Sequence, residues 1–155
     1  MSETFSHLNA EGEATMVGVG HKPQLQRTAI ASGALFCSGE TLLQLKKQAL
    51  PKGDALTVAK IAGIQAAKRT ADWIPLCHTL PLSKVDIEFQ IEEAHIAITA
   101  TAETVAQTGV EMEALTAVSA AALTLYDMCK AVDKQMRIGD IVLEKKTKKP
   151  LDHRL

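Results

Sequence analysis

The sequence predicts an α+β fold of the ferredoxin-like, split βαβ kind, an antiparallel four-stranded sheet with helices packed on one face. Three observations lead to it. Apolar periodicity changes along the chain in the order strand, helices, strand, strand, helix, strand. Residues 84–92 and 96–105 alternate on either side of a short break and read as a hairpin. The 155 residues carry no repeat and no linker, so residues 1–155 are expected to form a single domain.

Residues 1–24 are polar or glycine-containing up to Pro23 and read as a loosely ordered arm, in which Met16-Val17-Gly18-Val19 is the one stretch suited to an edge strand. Residues 25–37 partly alternate through Ile30, Leu35 and Phe36, a first strand with Gly33 placed for a bulge. Ser38 is an N-cap for a short helix carrying Leu42, Leu43 and Leu45 to about Ala49. Pro51-Lys52-Gly53-Asp54 breaks that helix, and Asp54 caps the next. Val58, Ala59, Ala62, Ala66 and Ala67 keep helical spacing to about Arg69, a stripe small enough to let another backbone approach. Ile74 to Pro81 is a proline-bounded loop.

Lys84 to Glu92 alternates strictly and is the clearest strand. Glu93-Ala94-His95 turns the chain into the strand 96–105. Thr108-Gly109 opens a long helical pattern to about Lys134, with Leu115, Val118, Ala122, Leu125 and Met128 or Cys129 on its apolar face. A last strand runs from Arg137 to Lys145 and merges into a basic tail, residues 144–155, expected to be mobile. The second sheet face is either solvated by charges such as Glu88 and Glu92 or covered by another subunit.

Composition narrows the function. Lys+Arg is 17 and Asp+Glu is 18, a net charge of −1, which argues against binding a nucleic-acid backbone. The chain has 23 alanines and only five aromatic residues, so close helix packing is favoured over base stacking. Three distant cysteines without a CxxC pair fit a reducing, cytoplasmic setting and no thiolate zinc site. No apolar run is long enough to span a membrane.

Four groups could carry chemistry. Leu76-Cys77-His78 lies in the proline-locked loop; a packed, half-buried His is the commoner state for such a residue, ligand contact the functional one. Glu111-Met112-Glu113 falls in the first turn of the long helix, where acids favour the dipole and where a carboxylate can also meet the donor edge of a purine or pterin. Asp127 and Lys130, three apart on that helix, form an ion pair whose apolar sequence neighbours suggest partial burial and a role in proton transfer. Lys52, Lys60, Lys68, Arg69 and Lys130 are cations for phosphate, with Lys52 in a glycine-containing loop. Glu113 and Asp127 are 14 residues apart, about 21 Å along a continuous helix, so one small ligand meets both only if two subunits share the site.

Four strings, in order, resemble one family: Lys60-Ile61-Ala62-Gly63-Ile64-Gln65-Ala66-Ala67-Lys68-Arg69-Thr70, Ile74-Pro75-Leu76-Cys77-His78, Thr108-Gly109-Val110-Glu111-Met112-Glu113-Ala114-Leu115-Thr116-Ala117 and Tyr126-Asp127-Met128-Cys129-Lys130-Ala131. The family is that of the cyclic pyranopterin monophosphate synthases, the MoaC family of molybdenum-cofactor biosynthesis, and the resemblance covers roughly residues 7–143. It implies a ferredoxin-like subunit in a homohexamer, a trimer of dimers with active sites at the dimer interface. It implies a lyase that converts (8S)-3′,8-cyclo-7,8-dihydroguanosine 5′-triphosphate to cyclic pyranopterin monophosphate and pyrophosphate, after a radical-SAM enzyme has made that substrate. By motif match Asp127 is the catalytic acid/base, and Lys130 and Lys52 serve phosphate or proton transfer. Leu76, Cys77, His78, Met112 and Glu113 contact substrate, with Glu111 and Lys68 as further binding candidates. No metal site and no bound cofactor are expected, a need for Mg²⁺ being left open.

The chain departs from the family pattern in its arm, where Gly18 and Gly20 replace an Asp and a Ser. It also has Thr79 where the family has Pro, and Lys145-Lys146-Thr147-Lys148-Lys149-Pro150 replaces a Gly/Ser-rich loop. Two other functions compete. A regulatory module that only binds a metabolite would tolerate loss of Asp127 and Lys130. A cyclohydrolase-type metalloenzyme would need a metal set, for which Cys77, His78 and distant Cys129 are the available donors.

Overall fold

The computed structural model describes residues 7–152, so residues 1–6 of the expected arm and 153–155 of the expected tail lie outside it. The elements are β1 (Leu25–Phe36), α1 (Gly39–Lys46), α2 (Ala55–Ala67), α3 (Thr70–Trp73), β2 (Leu82–Ile91), β3 (His95–Ala106), α4 (Glu111–Cys129) and β4 (Arg137–Lys149). The sheet order is β2-β3-β1-β4 with every neighbouring pair antiparallel. β3 thus lies between β1 and β2, which is the predicted split βαβ arrangement.

Alternation sets the register. β3 turns Ile96, Ile98, Ala100 and Ala102 inward, all fully shielded from solvent. Opposite them lie Ile87 and Ile91 on β2 and Ala31 and Leu35 on β1. A one-residue slip would send this whole set to the other face, so burial fixes the pairing. α4 closes the core with Ala114, Ala117, Val118, Ala121, Ala122 and Leu125, each fully buried. The small stripe of α2 does what its composition suggests: a Cβ at Gly63 would collide with Ile87 Cδ1 and lie 2.8 Å from the Ala117 carbonyl oxygen of α4. The other face of β3, including Ala97, Thr99, Thr101 and Glu103, is only half-buried, and no helix among the described residues packs on it.

Both predicted N-caps are in place. Ser38 Oγ accepts from Thr41 N–H at 3.2 Å, and Asp54 Oδ1 accepts from Thr57 N–H at 3.1 Å. The β1–β4 register shifts between Ser32 and Ala34, but the extra residue is on β4, where Ile141 and Asp140 stand opposite Gly33, so the bulge expected at Gly33 falls on the partner strand instead.

Several expectations are corrected. The basic tail, 144–155, was expected to be mobile, but β4 runs on to Lys149, whose position pairs with Gln26. Lysines on an edge strand leave its backbone free to ladder with β1 while their side chains stay in water. Met16 to Val19 forms no strand; the arm is tied instead by a Leu8–Ala14 bridge and by Asn9 Oδ1, which accepts from Glu13 N–H at 2.8 Å. α4 begins at Glu111 and ends at Cys129, shorter at both ends than the apolar pattern. Its exit is held by Asp133, which accepts from Ser38 N–H at 2.9 Å, Thr41 Oγ1–H at 3.0 Å and Gln135 N–H at 3.0 Å. The one-turn helix α3 had no counterpart in the periodicity.

Candidate active site

All the predicted residues but Lys60, Lys68 and Arg69 gather at the two ends of α4. At its N-terminal end lies a cavity of about 280 Å³. One wall is the proline-bounded loop, with Leu76, Cys77 and His78. A second is the first turn of α4, with Glu111, Met112 and Glu113. The arm supplies the third through His7, Val17, Val19 and Lys22.

Local bonds hold these walls. Ile74 N–H donates to Thr70 O at 2.9 Å and Cys77 N–H to Ile74 O at 3.0 Å, so α3 launches the loop. Thr104 Oγ1 donates to Pro81 O at 2.6 Å and fastens the loop's far end to β3. His78 Nε2 lies 2.7 Å from Val17 O. A carbonyl only accepts, so Nε2 carries the proton and the arm is strapped across the cavity.

Glu113 is 4% exposed. Burial pushes its carboxyl above the ordinary range, and the Glu111 charge adds to this, while its own backbone N–H opposes. The cavity thus holds a carboxyl that takes up and keeps a proton more readily than a solvated one. Burial, and then Glu113, likewise raise the Cys77 thiol, which keeps it protonated.

At the C-terminal end of α4, Asp127 is gripped from two sides. Lys130 Nζ lies 2.8 Å from Oδ1 and Lys52 Nζ 2.9 Å from Oδ2. Lys52 also donates to the Asp127 carbonyl at 3.1 Å, which brings the Lys-Gly-Asp loop onto this helix. Lys130 first, and Lys52 second, draw the Asp127 carboxyl down to about 2, and Asp127 raises Lys130 in return. The partial burial expected from the apolar neighbours does not occur in the single chain, where the Asp127 side chain is 54% exposed. Leu125 and Cys129 take the inward positions and leave Asp127 on the outer side.

α4 is one continuous helix, so Glu113 and Asp127 stand about 21 Å apart within a chain. Lys68 joins neither group; it is the exposed C-cap of α2. Lys60 is paired with Asp86 at 2.8 Å. Lys22, Val19 and Leu80 line the cavity without having been singled out as ligand contacts, because an aperiodic arm gives no facing information. Cys77 and Cys129 belong to different ends of α4, and all three cysteines are free. Among the described residues no three His, Cys, Asp or Glu side chains gather as a metal-binding group.

The fold and site define a class: a ferredoxin-like α+β subunit with a carboxyl- and imidazole-lined cavity at one end of a helix and a Lys–Asp–Lys cluster at the other. The chain belongs to the MoaC family, whose model matches residues 16–149. It is 54% identical over 143 residues to the cyclic pyranopterin monophosphate synthase of Peptoclostridium acidaminophilum, covering 92% of this chain and 91% of that one. It is 55% identical over 142 residues to the enzyme of the same name from Oleidesulfovibrio alaskensis, covering 90% and 89%. The molybdenum cofactor biosynthesis bifunctional protein of Chlorobaculum tepidum is 56% identical over 143 residues, 92% of this chain but 46% of that longer one. No helix among the described residues is long and apolar enough to cross a membrane.

Proposed function

We propose that the chain is a cyclic pyranopterin monophosphate synthase. It takes (8S)-3′,8-cyclo-7,8-dihydroguanosine 5′-triphosphate, the product of a radical-SAM enzyme, and releases cyclic pyranopterin monophosphate and pyrophosphate in the cytoplasm. The observation that carries this reading is the Asp127 carboxylate clamped between Lys52 and Lys130 at 2.9 and 2.8 Å. So clamped, Asp127 serves as a fixed anion that aims two ammonium groups, and the lysines are the proton donors. When the bond from the α-phosphorus to the bridging oxygen breaks, those same cations offset the charge on departing pyrophosphate. A substrate hydroxyl closes the cyclic phosphate and loses its proton to a base. The buried Glu113 and the His78 imidazole grip the purine-derived rings.

The reading places the two ends of α4 in one site supplied by two subunits, in a trimer of dimers. The bare sheet face supports association, as do exposed Val58, Ile61, Trp73 and Leu123. Single-turnover conversion of the cyclised dihydro-GTP tests the function. Wild type should yield pyrophosphate and the cyclic phosphate, and folded Asp127→Asn and Lys130→Ala should not. Tight binding without product in wild type would make the chain a binding module instead.

A further inference from the structure

Two of the three thiols come together where β1 ends and α4 ends. Cys37 follows directly on β1, and its N–H donates to Ala94 O at 3.3 Å, which carries the extended backbone one residue past the strand. It lies two residues beyond the fully buried Leu35 and so turns to the same inner face. There it packs, half-buried, against the core cluster to which Cys129 belongs. Cys129 is the last residue of α4 and is fully shielded from solvent.

One residue spans the two segments. Asp133 N–H donates to Cys129 O at 3.1 Å, and Asp133 Oδ2 accepts at 2.9 Å from the N–H of Ser38, the neighbour of Cys37. The same carboxylate acts on both thiols, and the charge of Cys129 acts on Cys37. Cys77 stands apart, in the cavity wall at the other end of α4. A buried cysteine ordinarily serves as a small apolar filler. Two of them about one aspartate, one of the two reachable from solvent, also make a dithiol.

We propose that Cys37 and Cys129 are an oxidation site, a dithiol that a small-molecule disulfide closes into an intramolecular bond. Cys37, the reachable partner, gives up its proton and attacks one sulfur of the reagent, whose other sulfur leaves and takes up a proton. Cys129 then attacks the Cys37 sulfur and expels the second reagent thiol. Two protein thiols are oxidised and one disulfide is reduced to two thiols. Burial, with the neighbouring charges adding to it, pushes both thiols up to about 11. Closure is therefore slow at neutral pH, and the bond once formed has a poor leaving group for reduction. In a reducing compartment such a bond answers oxidation and is not a permanent staple. Cys129 lies between Asp127 and Lys130 in the chain. Drawing its sulfur towards β1 turns the last turn of α4, which loosens the hold of Lys130 on Asp127 and, resting on the function proposed above, slows turnover.

Incubation of the native protein with oxidised glutathione, followed by peptide mass analysis, tests the site without turnover. Wild type should yield a joined Cys37–Cys129 peptide, with Cys77 free or capped by the reagent. The bond closes most of the chain into one loop, so this species should melt several degrees above the reduced one. On the cyclised dihydro-GTP it should turn over at least about tenfold more slowly, the scale of a displaced catalytic group, and recover with a thiol reductant. Reduced Cys37→Ser should match reduced wild type and keep more of its turnover after the same treatment, with Cys37→Ala in its place if the serine variant does not fold. Both variants carry Cys77, so the difference between the oxidised proteins reads the pair alone. Thiols that stay free or are only capped singly, or a bond made by Cys77, would overturn the proposal. A closed Cys37–Cys129 bond with turnover unchanged would overturn its link to the Lys–Asp–Lys cluster. A closed bond in a chain that is inactive even when reduced would uphold the site and remove the synthase reading alone.

Discussion

Asp127 and Glu113 are carboxylates on one helix, shifted in opposite directions by their surroundings. Asp127 is held ionised by two lysines, its pKa about 2. Asp127→Asn should lower single-turnover conversion by at least about a hundredfold, the scale of a lost proton-transfer assembly. The cluster is exposed, so the same variant should leave thermal stability almost unchanged. Glu113 is raised by burial, so the folded chain holds its proton more tightly than the unfolded one. Folding stability from this group therefore falls as pH rises through the raised pKa. Glu113→Gln should stabilise the fold at neutral pH by about 0.5–2 kcal/mol while weakening substrate binding, the usual relation at a strained site. Thermal melts at pH 5 and pH 8 check this, because the gain should be larger at pH 8. These partners were only partly legible in the sequence. Lys130 was visible at helical spacing from Asp127, whereas Lys52 reaches it from 75 residues away. The Glu113 shift comes from burial, which sequence spacing does not report.

At the scale of elements, the approach of α2 to α4 is the most exacting contact. Gly63→Ala would gain helix propensity of up to about 1 kcal/mol, but its Cβ meets Ile87 and the Ala117 carbonyl. Overpacking of this kind costs about 1–3 kcal/mol, so urea unfolding should show net destabilisation. Asp133 is the other tie, joining the end of α4 to the start of α1. Its carboxyl is lowered first by the Ser38 backbone N–H, with Gln135 N–H and the Thr41 hydroxyl adding to the effect. A lowered folded-state pKa means that this contribution is present above the ordinary carboxylate pKa and is lost as pH falls through the folded one. Asp133→Asn should cost about 1–3 kcal/mol at pH 7 and progressively less towards pH 3. Strands and caps were readable because alternation and capping are local, whereas the bulge expected at Gly33 lies on β4 opposite it. The length of β4 was not, since its lysine run pairs only because β1 lies beside it.

The whole molecule poses one question: how residues about 21 Å apart on α4, at about 1.5 Å per residue, would serve the one reaction proposed for them. On that proposal a second copy brings its own α4 alongside, the opposite ends meeting across the interface. The bare sheet face and the exposed apolar residues on α2, α3 and α4 fit an assembly, and the family strings had already implied one. Subunit complementation tests this most directly. Asp127→Asn and Glu113→Gln chains, assayed at a substrate concentration too low for either to turn over alone, are mixed, dissociated and reassembled. Half of randomly formed dimers pair one of each variant, and one of their two sites then carries both native residues. The account predicts recovery of about a quarter of wild-type activity. A reassembled mixture no more active than its parents, beside an active wild type treated the same way, would contradict it.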